Sequence, residues 1–149
     1  YAGIKPEVGP VTLDIGVIYY GYDSQEFDEP YTEFKLGASH SYENGAGVGV
    51  ALYYSPEYFG NTGTATYYEV NGSYPLGKVG PFAVGLGGAL GYQEVERATD
   101  YTSWRLGLTG VTDAGIEVGL TYHGADEDFG PIGDDRVVIH LKYSFGIIG

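Results

Sequence analysis

Side chains alternate between two kinds along almost the whole chain, and that period of two restricts the fold more tightly than any other feature. Residues 11 to 20 set Val11, Leu13, Ile15, Val17 and Tyr19 against Thr12, Asp14, Gly16, Ile18 and Tyr20. A helix would repeat near 3.6 residues, whereas a strand repeats at two. The same grammar returns in residues 31–39, 46–55, 66–74, 82–92, 101–109, 116–123 and 136–145, with a partial strand at 1–8. Gly, Pro, Asn and Asp punctuate these runs. The reading is nine strands without a helix, joined in sequence as an antiparallel meander.

The two faces differ in kind. One carries large aliphatic and aromatic side chains. The other carries Gly, Ala, Ser and Thr with Asp14, Glu33, Lys35, Glu69, Arg105, Glu117, Arg136, His140 and Lys142. A small water-soluble sandwich or barrel would turn its large residues inward and show a richly charged outer face. Here the polar face is glycine-rich and its acids and bases balance, which suits a lumen where opposite charges pair across a narrow space.

The links fall into two sets. Those at Gly9-Pro10, 42–45, 76–81 and 112–114 are short, and those at 23–29, 56–63, 93–100 and 123–135 are longer. The longer set holds Asp23, Glu26, Asp28, Glu29, Glu57, Glu94, Glu96, Asp100, Asp126, Glu127, Asp128, Asp134 and Asp135, opposed by Arg97. Nearly all of the net charge of -13 thus gathers on one predicted rim. Tyrosines cluster near strand ends, as Tyr19, Tyr20 and Tyr22, as Tyr53, Tyr54 and Tyr58, and as Tyr67 and Tyr68. Such clusters match aromatic girdles at a lipid–water boundary. The pattern predicts one domain, an up-and-down transmembrane β-barrel with lipid outside, a polar lumen and an acidic outer mouth. Single-chain bacterial barrels close with an even number of strands. Nine therefore predict a partial barrel, with an odd number of further strands preceding Tyr1.

Composition removes other classes. With 7 Lys+Arg against 20 Asp+Glu the chain lacks the basic footprint that nucleic acid requires. No run approaches 18 apolar residues, which excludes a transmembrane helix but not a transmembrane strand. The absence of cysteine removes disulfides, thiol nucleophiles and thiolate metal sites. Aromatic residues at 15% argue against disorder.

The runs Val17-Ile18-Tyr19-Tyr20-Gly21-Tyr22, Tyr31-Thr32-Glu33 and Tyr53-Tyr54-Ser55-Pro56-Glu57-Tyr58-Phe59 resemble the TorF family of porins, also called the Gcw_chp family. Gly72-Ser73-Tyr74-Pro75-Leu76, Tyr101-Thr102-Ser103-Trp104-Arg105-Leu106-Gly107 and Tyr143-Ser144-Phe145 follow in the same order. The Tyr-Tyr-Ser-Pro-Glu-Tyr-Phe run is the most specific of them. The resemblance implies an outer-membrane barrel of about twelve strands, made with a signal peptide and inserted by the envelope assembly machinery. This chain departs from the pattern after Phe145, where Gly146-Ile147-Ile148-Gly149 follow.

For catalysis the sequence is poor. His40, His123 and His140 share no ligand spacing, the serines lack a nucleophile elbow, and the glycine pairs lack a phosphate-loop lysine. Asp14, Glu33, Glu69 and Glu117 share a side, yet the interleaved bases make salt bridges the simpler role. The acidic run Asp126-Glu127-Asp128, with Asp134 and Asp135, has oxygen ligands suited to calcium, but a solvated rim explains it equally. No enzyme, cofactor or metal site is expected. The leading expectation is an outer-membrane porin passing small solutes or ions, with cation preference. The alternative is a closed structural or surface-binding barrel without transport. Association with further copies is compatible with either.

Overall fold

The computed structural model describes residues 1–21, 30–127 and 135–143. They form one antiparallel sheet of ten strands, β1 (Ala2–Ile4), β2 (Glu7–Val8), β3 (Val11–Tyr20), β4 (Tyr31–Ser41), β5 (Gly47–Ser55), β6 (Ala65–Val79), β7 (Phe82–Val95), β8 (Tyr101–Thr112), β9 (Ile116–Ala125) and β10 (Arg136–Tyr143). From β3 onward each strand pairs with the next, so the predicted meander is present. A single 3-10 turn at Phe59–Asn61 is the only helical element among the described residues.

The segment read as one partial strand is two. β1 and β2 both lie on β3 in one continuous register, with Ala2 opposite Val17 and Glu7 opposite Thr12. Lys5-Pro6 interrupts them because proline brings no N–H to the ladder, although the Pro6 carbonyl still accepts from Leu13 N at 2.9 Å. β6 runs past the predicted stop at Tyr74 because a bulge between Pro75 and Gly77 absorbs the proline. The link to β7 then shrinks to Gly80-Pro81. Gly80 there takes a φ of 58°, a left-handed value open to glycine without strain.

The sheet is open, which overturns the barrel. Among the described residues the order starts at β1 and ends at β10 without a pairing between them. Closure would place the two within a ladder spacing of about 4.8 Å. At one end stands the short, proline-broken edge of β1 and β2, which gives the eight-residue β10 little to pair with. An unclosed sheet supplies no wall around a lumen, and its unpaired edge groups would be costly in hydrocarbon. The readings built on closure fall with it: the porin, the cation-preferring passage of small solutes or ions, the closed scaffold barrel, the outer-membrane location, and the bilayer, assembly machinery and further copies as partners. Among the described residues no helix is long and apolar enough to cross a membrane.

The two-faced pattern itself is present. Ile15, Leu36, Val50, Val70, Leu106, Leu120 and Ile139 are all exposed on one side. Among the described residues the buried apolar side chains are only Ala65 and Val95, with Ser55 and Gln93 as the buried polar ones. The sheet is therefore held by its backbone ladder, by cross-strand pairs and by the network on the polar face.

Candidate functional site

On the polar face, small residues let long polar side chains lie flat across neighbouring strands. Gly91 on β7 is the clearest case, since a Cβ there would fall 1.9 Å from the Tyr67 hydroxyl. Tyr67 on β6 crosses this glycine to meet the Ser103 hydroxyl on β8 at 3.1 Å. Arg105 on β8 likewise reaches across β7 and donates to both Glu69 oxygens, at 2.8 and 3.0 Å. Asn71 donates a further bond to Glu69 at 3.0 Å.

Most of the charged residues predicted on this face meet one another. Lys35 donates to Asp14 at 2.7 Å, Lys5 stands 3.4 Å from the same carboxylate, and the Tyr1 hydroxyl also donates to it. Lys35 and then Tyr1 hold the Asp14 carboxyl down at about 2. Glu117 faces His140 at 3.1 Å and Lys142 at 3.8 Å. Glu33 accepts from the Tyr20 hydroxyl at 3.0 Å, while burial raises its carboxyl above the usual range.

Between these groups the sheet bends around a cleft of about 870 Å³. Its walls carry Tyr20, Tyr31, Tyr53, Tyr58, Tyr67 and Tyr101. Tyr20 and Tyr31 stack with centroids 4.5 Å apart, and Tyr58 meets Tyr31 edge-on at 5.1 Å. Tyr58, in the link after β5, and Tyr101 on β8 both line the cleft. Polar groups stand among the rings: Glu33, Gln93, Ser103, Arg105, His123 and Arg136. Of the nine residues predicted to line a lumen, Glu33, Arg105 and Arg136 line this cleft. Asp14, Lys35, Glu69, Glu117, His140 and Lys142 are engaged outside it.

The tyrosines revise the girdle reading. Adjacent residues of a strand point to opposite faces, so each Tyr-Tyr pair divides. Tyr19, Tyr54 and Tyr68 are exposed on the apolar side, and Tyr20, Tyr53 and Tyr67 enter the cleft. His123, expected near the outer rim, is also in the cleft.

The acidic rim has a local role that its composition hides. Asp126 accepts from Thr102 N at 2.6 Å, Asp100 from Val95 N at 2.8 Å, Glu96 from Thr64 N at 3.0 Å and Glu57 from Gly63 N at 2.9 Å. Asp126 and Asp100 fasten a link to a strand end, Glu57 closes the β5–β6 link on itself, and Glu96 ties the β7–β8 link to the β5–β6 link. Tyr68 donates to Glu94 at 3.3 Å and Tyr122 to Asp135 at 2.6 Å. Glu127 takes no part in these contacts, and Asp23, Glu26, Asp28, Glu29, Asp128 and Asp134 lie outside the described residues.

These fasteners give stability a pH dependence. The amide and hydroxyl of Thr64 lower Glu96, and the amide and hydroxyl of Thr102 lower Asp126. A carboxyl depressed in the folded state stabilises above its unfolded pKa, about 3.9 for Asp, and loses that contribution as pH falls through the folded value. Glu33 is raised, so it acts in the opposite sense and favours the folded state at low pH. The urea midpoint is expected to drop between about pH 4.5 and 2, and Asp14→Asn should flatten the lower part of that drop. A midpoint that is level to pH 2 would show that these contacts contribute nothing.

Comparison with known proteins gives one match. The family described as "Bacterial protein of unknown function (Gcw_chp)" fits residues 1–145. No curated protein and no solved structure matches the chain.

Proposed function

From the premise that this chain belongs to the Gcw_chp family of bacterial proteins, we propose that it is a non-enzymatic binding protein whose tyrosine cleft holds a polyhydroxylated ring compound, a short saccharide. The observation that carries this reading is the set of six tyrosines interleaved with hydrogen-bonding side chains in one cleft. Sugar rings present flat C–H faces, which pack on aromatic rings, and rims of hydroxyls that both donate and accept. Ser103 and Gln93 offer both functions, Glu33 accepts and Arg105 donates. The volume falls within the range of about 300–1,000 Å³ that suits a drug-sized ligand. Binding without a chemical step fits the engagement of the carboxylates, since Glu33 answers Tyr20, Glu69 answers Arg105 and Glu117 answers His140.

Tyrosine and Trp104 fluorescence, titrated with a panel of short neutral and acidic oligosaccharides, tests the proposal. At least one member is expected to give a saturable change. Gly91→Ala, whose methyl group would force the Tyr67 ring out of place, is expected to weaken that binding by about ten-fold while far-UV circular dichroism stays that of a sheet. A panel without a saturable response would sink the reading.

A further inference from the structure

The basic residues of the cleft are not scattered. Arg105 on β8 stands directly opposite His123 on β9, and His123 stands directly opposite Arg136 on β10. Three basic side chains thus form one row across three strands, and all three line the cleft. Protonating His123 would place like charges at directly opposed positions, whose Cβ atoms are only about 4.5–5.5 Å apart, and such pairs destabilise a sheet. This chain has 20 acids against 7 Lys+Arg, so alternation of sign would have been the easy arrangement. Instead two of the seven strong bases flank a histidine, and no acid interrupts the row.

We infer that the ligand of this cleft is anionic, a saccharide bearing a carboxylate or an equivalent anionic group, and that the row Arg105–His123–Arg136 receives that group. This deepens the saccharide reading and rests on it.

Three details support the assignment. Arg105 uses two of its five N–H donors on Glu69, which leaves three for another acceptor. His123 is depressed by burial first, and then by Arg136 and Arg105, so the imidazole lies in a positive field that a bound anion would relieve. Among the described residues the acids at the cleft oppose an anion weakly: Glu69 is compensated by Arg105, and burial disfavours the charged form of Glu33. A carboxylate on the row would take charge-assisted bonds from guanidinium and imidazole N–H groups, the strongest class available here.

Two measurements separate the inference from its premise. In the first, the His123 ring is titrated by NMR with inorganic sulfate against chloride at constant ionic strength. Sulfate is expected to raise the His123 pKa by about half a unit or more, and Arg136→Gln is expected to remove most of the rise. An unmoved His123 overturns the inference, and so does a rise that Arg136→Gln leaves intact, which would mark an adventitious ion only. In the second, short oligogalacturonates are compared with their methyl esters by calorimetry, the rings being identical and only the charge changed. The acid form is expected to bind about ten-fold more tightly, with the advantage shrinking as salt rises. Equal binding overturns the anionic ligand and leaves the saccharide reading standing. If neither form binds and the wider panel is silent, the saccharide premise fails, while the sulfate response still decides the row.

Discussion

Arg105→Met is expected to destabilise the sheet by about 2–3 kcal/mol in urea, more than any other single substitution on the polar face. Glu69 explains the size. Its side chain is 8% exposed and takes two bonds from the guanidinium, so removing Arg105 leaves a nearly buried carboxylate with the Asn71 amide. Stranding one partner of a fully buried pair costs about 3–5 kcal/mol. Here the Arg105 side chain is 43% exposed, so water enters and the figure falls below that range. Glu69→Gln with Arg105→Met removes both charges together and is expected to recover most of the loss, within about 1 kcal/mol. Arg105→Lys should recover less, because an ammonium cannot make the two-pronged bond to Glu69. If the single and double variants unfold at the same urea concentration, the pair does not hold β6 to β8.

The same residues show what can be read from the chain alone. Alternation fixes which side chains share a face, since Cβ atoms must point to opposite sides in turn, and it places Glu69 and Arg105 together on the glycine-rich side. Their partnership is not legible. It spans an intervening strand, so no local pattern in the sequence announces it. Strand ends are blurred for a related reason: Pro75 reads as a stop, yet a bulge of one extra residue, Leu76, carries β6 through it.

Closure was the costly misreading. An apolar outward face and a polar inward face describe a lipid-embedded barrel, but they describe equally any sheet whose large side chains look away from a polar cleft. Whether the first strand meets the last is set by curvature accumulated over ten strands, and no residue pair announces it. The Tyr-Tyr pairs carry a second signal. A pair always supplies one ring to each face, so the girdle reading used Tyr19, Tyr54 and Tyr68 while Tyr20, Tyr53 and Tyr67 built the cleft. The rim acids look like solvated charge in the sequence because their backbone partners, Thr102, Val95, Thr64 and Gly63, become neighbours only once the links fold back.

In aqueous buffer the purified chain is expected to bind the dye ANS strongly and to aggregate, because its apolar face has no cover among the described residues. Val50 on β5 stands opposite Val70 on β6, and Val70 opposite Leu90 on β7, at exposures of 56%, 52% and 51%. With Leu36 and Leu52 they border an apolar groove of about 650 Å³. Monomeric soluble proteins rarely show contiguous apolar patches beyond about 300–600 Å², and rows of this kind across a whole sheet exceed that class. Threonine at positions 50, 70 and 90 keeps β propensity while adding a hydroxyl that water can solvate. The triple variant is expected to keep its sheet by circular dichroism and to lose more than half of the ANS signal. A parent chain that is monodisperse and silent to ANS would show this face to be covered by another surface. The cleft lies on the opposite side of the sheet, so the response of His123 to sulfate should survive the triple variant unchanged. Most charges of the polar face pair within it, whereas the apolar rows of Val50, Val70 and Leu90 have no cover among the described residues.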